Sequence, residues 1–199
     1  MNHLLIFARH PELGRVKTRL ARTLGDEAAL AVYEELLALT RAAANGLAPA
    51  HKTVWFAEPA LTPGPNRWPD CEQRLQPAGN LGHRMVTAFA QAFASGATAA
   101  VIIGTDCPEL TTTHLEQAFQ QLQTHDVVLG PAEDGGYYLL GMNRLHLLLF
   151  ANKTWSTDSV LADTVADSQE LGLRLALLPK LQDVDTEADL TAWRQKTKR

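Results

Sequence analysis

Short apolar runs alternate along the chain with longer stretches in which apolar residues recur every three or four positions. The short runs suit buried strands, and the longer stretches are typical of amphipathic helices. This pattern predicts strands at residues 3–8, 52–57, 99–104, 126–130, 137–142 and 174–178, and a weak strand at 73–76. It predicts helices between residues 16 and 45, at 81–95, at 113–123, at 158–171 and after Thr186.

Turn-forming and capping residues divide these elements. Gly25 and Asp26 break the first helical stretch into two helices, and the Pro-, Gly- and Asn-rich segment 58–79 predicts irregular chain. Thr113 and Glu116 have the spacing of a capping box. Strands that alternate with helices predict an α/β sandwich with a mostly parallel sheet. Because the sequence has no repeat and no linker, we expect one domain over residues 1–199.

Composition narrows the class of protein. The 199 residues are 46% hydrophobic and 20% charged, with a formal charge of -4, which is ordinary for a soluble globular protein. No apolar run is long enough to span a membrane and no signal peptide precedes the first strand, so we expect a cytoplasmic protein. A pI near 6.0 without a long basic face disfavours nucleic acid as a partner. Cys71 and Cys107 lack the spacing of metal ligands.

The loop after the first strand concentrates positive charge. Residues 9–22 contain five cations against Glu12, a formal charge of +4 in a chain whose total is -4; they are Arg9, Arg15, Lys17, Arg19 and Arg22. A strand, a turn at Gly14 and a helix N-terminus present backbone N–H groups to an anion. Cations in the first turn disfavour the helix but suit a bound di- or triphosphate. The alternative is a solvated basic face.

Carboxylates follow other predicted strands. Asp106 comes directly after the strand at 99–104, where an unpaired carboxylate is costly, and Asp183 and Asp185 flank Val184 so that both can face one side. Ligands gather at the carboxyl ends of parallel strands, and carboxylates beside a phosphate are a usual setting for Mg²⁺. The alternatives are a turn former at Asp106 and a residue that merely precedes the helix cap at Asp185.

Two segments that contain glycines are further candidates for the functional site. The turn at 131–136 joins two strands and contains two carboxylates and two glycines, namely Glu133, Asp134, Gly135 and Gly136. These carboxylates could assist a metal, bind acceptor hydroxyls or act as a base, or the segment could be a plain hairpin turn. The segment 79–85 precedes a helix and could contact a nucleotide or simply start that helix.

Together these motifs resemble one bacterial family. FARHPELGRVKTRLA, GNLGHRM, GTDCPEL, GPAEDGGYYLLG, TWST and DVDTEADL occur in the order and spacing of the DUF2064 proteins, which are regarded as glycosyltransferases and in part linked to arsenosugar biosynthesis. The resemblance covers nearly the whole chain. It implies the nucleotide-diphospho-sugar transferase (GT-A) fold, a single-domain three-layer α/β/α sandwich with a mostly parallel mixed sheet. Nucleotidyltransferases of molybdenum-cofactor and coenzyme F420 biosynthesis share this fold.

The resemblance also implies roles for individual residues. The implied nucleotide-binding set is Ala8, Arg9, Gly14, Lys17, Arg19, Asn80, Gly82 and Asp106. The implied ligands of Mg²⁺ or Mn²⁺ are Asp106, Asp183 and Asp185. The implied acceptor-binding set is Glu133, Asp134, Gly135 and Gly136. Lys17, Asp106 and Asp134 are the implied catalytic residues.

The resulting hypothesis is a metal-dependent transferase that uses a nucleotide sugar or an NTP as donor and a small molecule as acceptor. Glycosyl transfer is the first form of this hypothesis. Nucleotidyl transfer with release of pyrophosphate is the second, because many glycosyltransferases of this fold carry a DxD motif whereas Pro108 stands two residues after Asp106 here. A non-catalytic nucleotide-binding module is a third reading, disfavoured by the presence of both the basic and the acidic sets. The oligomeric state stays open.

Overall fold

The computed structural model describes residues 1–62 and 64–197; position 63 and residues 198–199, which belong to the predicted domain, lie outside the described residues. The strands are β1 (Asn2–Ala8), β2 (His51–Phe56), β3 (Glu72–Leu75), β4 (Ala99–Ile103), β5 (Val127–Pro131), β6 (Tyr137–Met142) and β7 (Leu175–Leu177). The helices are α1 (Thr18–Leu24), α2 (Asp26–Gly46), α3 (Leu81–Ala94), α4 (Thr112–Gln121), α5 (Val160–Glu170) and α6 (Glu187–Thr197), with a short 3-10 helix at Leu147–Phe150. No helix within this described part is long and apolar enough to cross a membrane.

All seven strands belong to one sheet, in the order β3-β2-β1-β4-β6-β5-β7. Strand β6 runs antiparallel to β4 and β5, and every other neighbouring pair is parallel. The predicted mostly parallel α/β sheet is therefore confirmed. That all seven strands belong to one sheet supports the proposal of one domain over residues 1–199. Because β3, β2, β1 and β4 all point the same way, the loops that follow them meet at one edge.

Helices cover both faces of the sheet, which gives the predicted three layers. Successive residues of β1 illustrate the division, since Leu4 and Ile6 are buried against α2 and α4 while Leu5 is buried against α3. A third cluster, which includes Val184, joins α1, α2 and α6. This third cluster anchors the two elements that carry the predicted phosphate and metal residues, α1 and the loop before α6.

The break at Gly25 is confirmed, and the predicted cap of α4 is wrong. Gly25 ends α1 and begins α2 with a φ of 83°, a left-handed conformation that favours glycine. Helix α4 begins two residues earlier than the Thr113 box predicts, because Thr111 forms the capping box with His114. Thr112 is then the first helical residue, and its hydroxyl donates to the carbonyl of Ala43 in α2. This contact between α4 and α2 favours Thr111 over Thr113 as the N-cap of α4.

Candidate functional site

A cavity of about 480 Å³ lies at the carboxyl edge of the sheet, where the segments after β1 and β4 meet the loop before α6. Six of the predicted site residues line it: Ala8, Arg9, Lys17, Arg19, Asp106 and Asp185. The convergence follows from the topology, since β1 and β4 are adjacent parallel strands whose following loops leave at the same edge.

Lys17 is the central cation of this cavity. Its side chain is only 4% exposed, and its Nζ lies 2.5 Å from Asp106 Oδ1 and 2.9 Å from Asp185 Oδ1. Burial acts to lower the pKa of Lys17, but the charges and hydrogen bonds of the two carboxylates outweigh it and raise that pKa. The ammonium group therefore stays charged and bridges the loop after β4 to the loop before α6.

The backbone of Lys17 is itself unusual. Lys17 is the N-cap of α1 and has a φ of 46°, in the left-handed region that costs an L residue about 1–2 kcal/mol. Its carbonyl accepts the N–H of Ala21, so this conformation sits at the junction of the basic loop and the helix. Strain of this kind gathers at functional sites, which agrees with the position of Lys17 between two carboxylates.

The loop before α6 is held against the loop after β4. The N–H of Val184 donates to the carbonyl of Asp106 over 2.9 Å, and the Val184 side chain is fully buried. Asp189 Oδ2 accepts the N–H groups of Asp185 and Thr186, which fixes the start of α6. The predicted alternation around Val184 is thus the arrangement that brings the acidic pair to Asp106.

Asp183 occupies the most perturbed environment in this cluster. Burial, followed by the negative charges of Asp106, Asp134 and Asp185, raises the pKa of Asp183 to about 7. Its Oδ1 atom is buried and has no hydrogen-bond partner among the described residues. A buried carboxylate oxygen without a partner is costly, and a positive charge at that oxygen would remove the cost.

The acidic cluster fits a hard divalent cation in chemistry, although it is not arranged as a finished metal site. Among residues 1–62 and 64–197 no group of three or more His, Cys, Asp or Glu side chains is positioned to hold a metal ion. The ammonium group of Lys17 lies between Asp106 and Asp185 and is the cation that these two carboxylates contact. Carboxylate oxygens are nevertheless the ligands that Mg²⁺ and Mn²⁺ prefer, and the unpartnered oxygen of Asp183 is available to such an ion.

Replacing Asp183 with Asn should raise the stability of the metal-free protein at high pH. A folded-state pKa near 7 lies above the unfolded value of about 3.9, so the charge of Asp183 opposes folding increasingly as pH rises from 4 to 7. We expect the melting temperature of Asp183→Asn in a chelating buffer to exceed that of the parent by about 5 °C at pH 8.5, and by less at pH 5. Thermal unfolding followed by circular dichroism measures both.

Asp185→Asn is the matched control for that experiment. Asp185 accepts a hydrogen bond from Lys17, so its neutralisation should lower the melting temperature at pH 8.5. A fall in melting temperature for Asp183→Asn at pH 8.5 would contradict the assigned environment of Asp183.

The outer arginines of the basic loop are partly neutralised by acidic side chains. Glu58 accepts from Arg9 at 3.3 Å and from Arg15 at 2.6 Å, and Glu12 accepts from Arg15 at 3.2 Å. Gly14 has a φ of 72°, which supports the tight turn of this loop, and it is absent from the cavity wall. Lys17 is likewise paired with Asp106 and Asp185, so the less neutralised cations of the cavity wall are Arg19, which lies 3.9 Å from Asp185, and Arg84.

Tyr33 is a wall residue that sequence reasoning missed. Its hydroxyl accepts the N–H of Arg9 at 2.9 Å, lies 3.2 Å from the Arg9 carbonyl and lies 3.2 Å from Thr105 Oγ1. It thereby joins the loop after β1 to the loop after β4. In the sequence Tyr33 looks like one more apolar position of a helix, and no local signal separates it from a core residue.

The start of α3 contributes different residues from those predicted. Asn80 caps the helix, its side chain accepting the N–H of His83, and Gly82 is buried beneath the indole of Trp155. Neither lies on the cavity wall, which is instead formed in this region by Leu81 and Arg84. A nucleotide-binding role of Asn80 and Gly82 stays a prediction, and their observed contacts position the helix.

The turn between β5 and β6 is rigid. Asp134 Oδ1 accepts the N–H of Gly136 at 2.9 Å, and Glu133 pairs with Lys180 at 2.7 Å. Gly135 has a φ of 86°, and a Cβ there would lie 2.2 Å from the carbonyl oxygen of Asp158. The predicted acceptor-binding residues thus form a fixed turn that is absent from the cavity wall, and in the sheet β4 lies between β1 and the two strands that this turn joins.

The architecture matches a known fold. A mostly parallel seven-stranded sheet between two helical layers is the fold of nucleotide-diphospho-sugar transferases and cytidylyltransferases. The chain belongs to DUF2064, a family described as uncharacterized proteins conserved in bacteria, whose model matches residues 36–157. The resemblance noted in the sequence motifs is confirmed.

Solved structures agree with this placement. A "putative nucleotide-diphospho-sugar transferase" from Desulfovibrio desulfuricans G20 is 29% identical with a TM-score of 0.90, over 100% of this chain and 88% of that one. CMP:2-keto-3-deoxy-manno-octonic acid synthetase, solved with CTP, is 13% identical with a TM-score of 0.55, over 98% of each chain. A Mycobacterium tuberculosis protein solved with manganese is 17% identical with a TM-score of 0.54, over 96% of each chain.

The sequence identity of each solved structure decides what its similarity to this chain establishes. At 13% and 17% identity the two latter structures establish the fold alone. No curated protein matches the chain in sequence.

Proposed function

We propose that this protein transfers a glycosyl group from a nucleotide sugar to a small-molecule acceptor, with a divalent cation as cofactor. The observation that carries the proposal is the buried Lys17 ammonium between Asp106 and Asp185, in a cavity at the carboxyl edge of the sheet. The description of the Desulfovibrio structure, which is 29% identical over the whole chain, supports the nucleotide-sugar donor. Transferases and nucleotidyltransferases among the fold neighbours support the reaction class.

Lys17 would contact the donor phosphates directly, whereas the carboxylates would act on them through a bound metal ion. Lys17 and Arg19 would neutralise the negative charge that develops on the departing nucleotide. Asp106, together with Asp183 or Asp185, would hold Mg²⁺ or Mn²⁺. When bound, such an ion supplies a Lewis acid for phosphate oxygens.

Asp134 is the proposed base for the acceptor hydroxyl. Its negative charge contributes to the raised pKa of Asp183, so Asp134 lies near the acidic cluster, and neither of these two residues lines the cavity itself. The fixed turn that carries Asp134 holds one oxygen on the N–H of Gly136 and leaves the other for an acceptor. Glu133, Gly135 and Gly136 complete the proposed acceptor side.

Nucleotidyl transfer is the second candidate, and the residue at position 108 favours it. Pro108 stands where a DxD motif would place a second aspartate, so that position of the loop after β4 carries no carboxylate. In this reaction the acceptor attacks the α-phosphorus of an NTP and pyrophosphate leaves, whereas in glycosyl transfer it attacks the sugar carbon and a nucleoside diphosphate leaves. The released product therefore separates the two candidates.

Product analysis tests the proposal. The protein is incubated with a panel of NTPs and nucleotide sugars and with small-molecule acceptors, with Mg²⁺ or with a chelator. We expect UDP or GDP release above the donor-hydrolysis control, only with metal, and none from Asp106→Ala. Release of pyrophosphate would overturn glycosyl transfer in favour of nucleotidyl transfer. Nucleotide binding without turnover of any donor, unchanged in Asp106→Ala, would favour a non-catalytic module.

A further inference from the structure

The end of the cavity away from the carboxylates is built by the residues after β3 and by the start of α3. Gln76, Leu81 and Arg84 line this end together with Ala57. Strand β3 is three positions from β4 in the sheet, so a strand spacing of about 4.8 Å places Gln76 about 14 Å from the strand that leads to Asp106. One ligand with an anionic end and a remote end of different chemistry can span that distance.

Neutral acceptors hold Arg84 at this remote end. Its Nε donates to the carbonyl of Gly79 at 3.0 Å, and its Nη1 donates to Gln76 Oε1 at 3.2 Å. A guanidinium group has five N–H donors, so two are used and three remain for a ligand. Because both bonded partners are neutral, these contacts orient the cation without neutralising it.

Gln76 is held as firmly as Arg84. Its backbone N–H donates to the carbonyl of Phe56 at 2.8 Å, and its Nε2 donates to the carbonyl of Trp55 at 2.9 Å. Since Trp55 accepts from the amide nitrogen and Arg84 donates to the amide oxygen, the orientation of the amide is settled by its partners. The remaining polar groups of this end are then chiefly N–H donors.

The apolar part of the wall suits the face of a flat ring. Leu81 is 40% exposed although it is a leucine at the first position of a helix, and it lines the cavity beside Ala57. An exposed leucine next to a fixed fork of donors offers one surface for a ring face and another for a ring edge.

We infer that Arg84, held by Gln76, reads the edge of the nucleobase and selects donors whose base carries a carbonyl oxygen, against adenine. Guanine presents two neighbouring acceptors, O6 and N7, and uracil and cytosine present carbonyl oxygens, all of which accept from a guanidinium fork. Adenine presents an amino group in place of O6, and that donor would face the donors of Arg84. The inference rests on the proposed use of a nucleotide donor.

Calorimetric titration tests the inference with GDP, UDP, CDP, ADP and base-free pyrophosphate, each with Mg²⁺. The parent protein should bind at least one carbonyl-bearing nucleotide about tenfold or more tightly than ADP. Arg84→Met keeps the apolar stem and removes the donors, so that ratio should fall below about threefold while pyrophosphate affinity stays within about twofold. Arg19→Met, which removes another cavity cation, should weaken every ligand alike and leave the base ratio unchanged.

Two results would overturn the inference alone, and a third would also overturn the proposed function. If the parent protein binds ADP as tightly as the other nucleotides, or if Arg84→Met weakens pyrophosphate as much as the nucleotides, Arg84 does not read the base. If the parent binds neither nucleotides nor pyrophosphate, the proposed function falls as well. A melting temperature of Arg84→Met close to that of the parent shows that any change in the ratio is not a loss of fold.

Discussion

Replacing Lys17 with methionine should abolish donor use. The variant keeps the buried stem but removes the charge that lies 2.5 Å from Asp106 and 2.9 Å from Asp185. Loss of one preorganised charge that stabilises a leaving group lowers kcat by about 10² to 10³. We expect kcat/KM for the donor to fall by at least that factor, measured as the initial rate of nucleoside diphosphate or pyrophosphate release at subsaturating donor.

Asp106→Ala should have an effect of the same order, and Arg22→Ala is the matched control. Arg22 belongs to the same basic segment, but its side chain is exposed in the last turn of α1. Its removal should change kcat/KM by less than about twofold, as expected of a solvated surface charge. Equal losses in Lys17→Met and Arg22→Ala would mean that the segment acts through its total charge and not through the buried ammonium.

The convergence of Lys17, Asp106 and Asp185 could be predicted in part from the sequence. Apolar runs marked the strands, and parallel strands end at one edge, so the segments that follow β1 and β4 were expected at the same edge. That β1 and β4 are neighbours in the sheet, and that the loop before α6 contacts Asp106, is visible only in the structure. That Asp183 and Asp185 lie on one side of the segment and the buried Val184 on the other could also be predicted, because neighbouring residues of an extended segment point to opposite sides. The rule that ligands gather at strand ends and the two-residue period of extended chain were sufficient to nominate these residues.

The rest of the cavity depends on contacts that the sequence does not display. Glu58 pairs with both Arg9 and Arg15 from more than forty residues away, a partner that lies in the segment read only as irregular. Leu81 and Arg84, rather than Asn80 and Gly82, line the wall because the phase of α3 relative to the sheet is decided by packing, including that of Gly82 under Trp155. A glycine-rich motif locates a segment but not which of its side chains faces a ligand.

Replacing Gly135 with alanine should destabilise the fold and slow transfer to the acceptor more than it weakens nucleotide binding. The φ of 86° costs an alanine about 1–2 kcal/mol, and its Cβ would lie 2.2 Å from the carbonyl oxygen and 2.7 Å from the Cα of Asp158. Since the obstacle is backbone, the turn or the segment before α5 must move, at a further cost of about 1–3 kcal/mol. We expect a fall of about 5–10 °C in melting temperature, with transfer to the acceptor reduced more than nucleotide affinity.

Gly96→Ala separates the two causes of this loss. Gly96 follows α3 with a φ of 87°, nearly that of Gly135, but nothing lies within 4 Å of the position its Cβ would take. It therefore carries the backbone strain without the collision, and its melting temperature should fall by only about a third as much. If both variants lose the same stability, the contact between Gly135 and Asp158 contributes nothing. If Gly135→Ala transfers to the acceptor as fast as Gly96→Ala, the rigid turn does not position the acceptor side for the reaction.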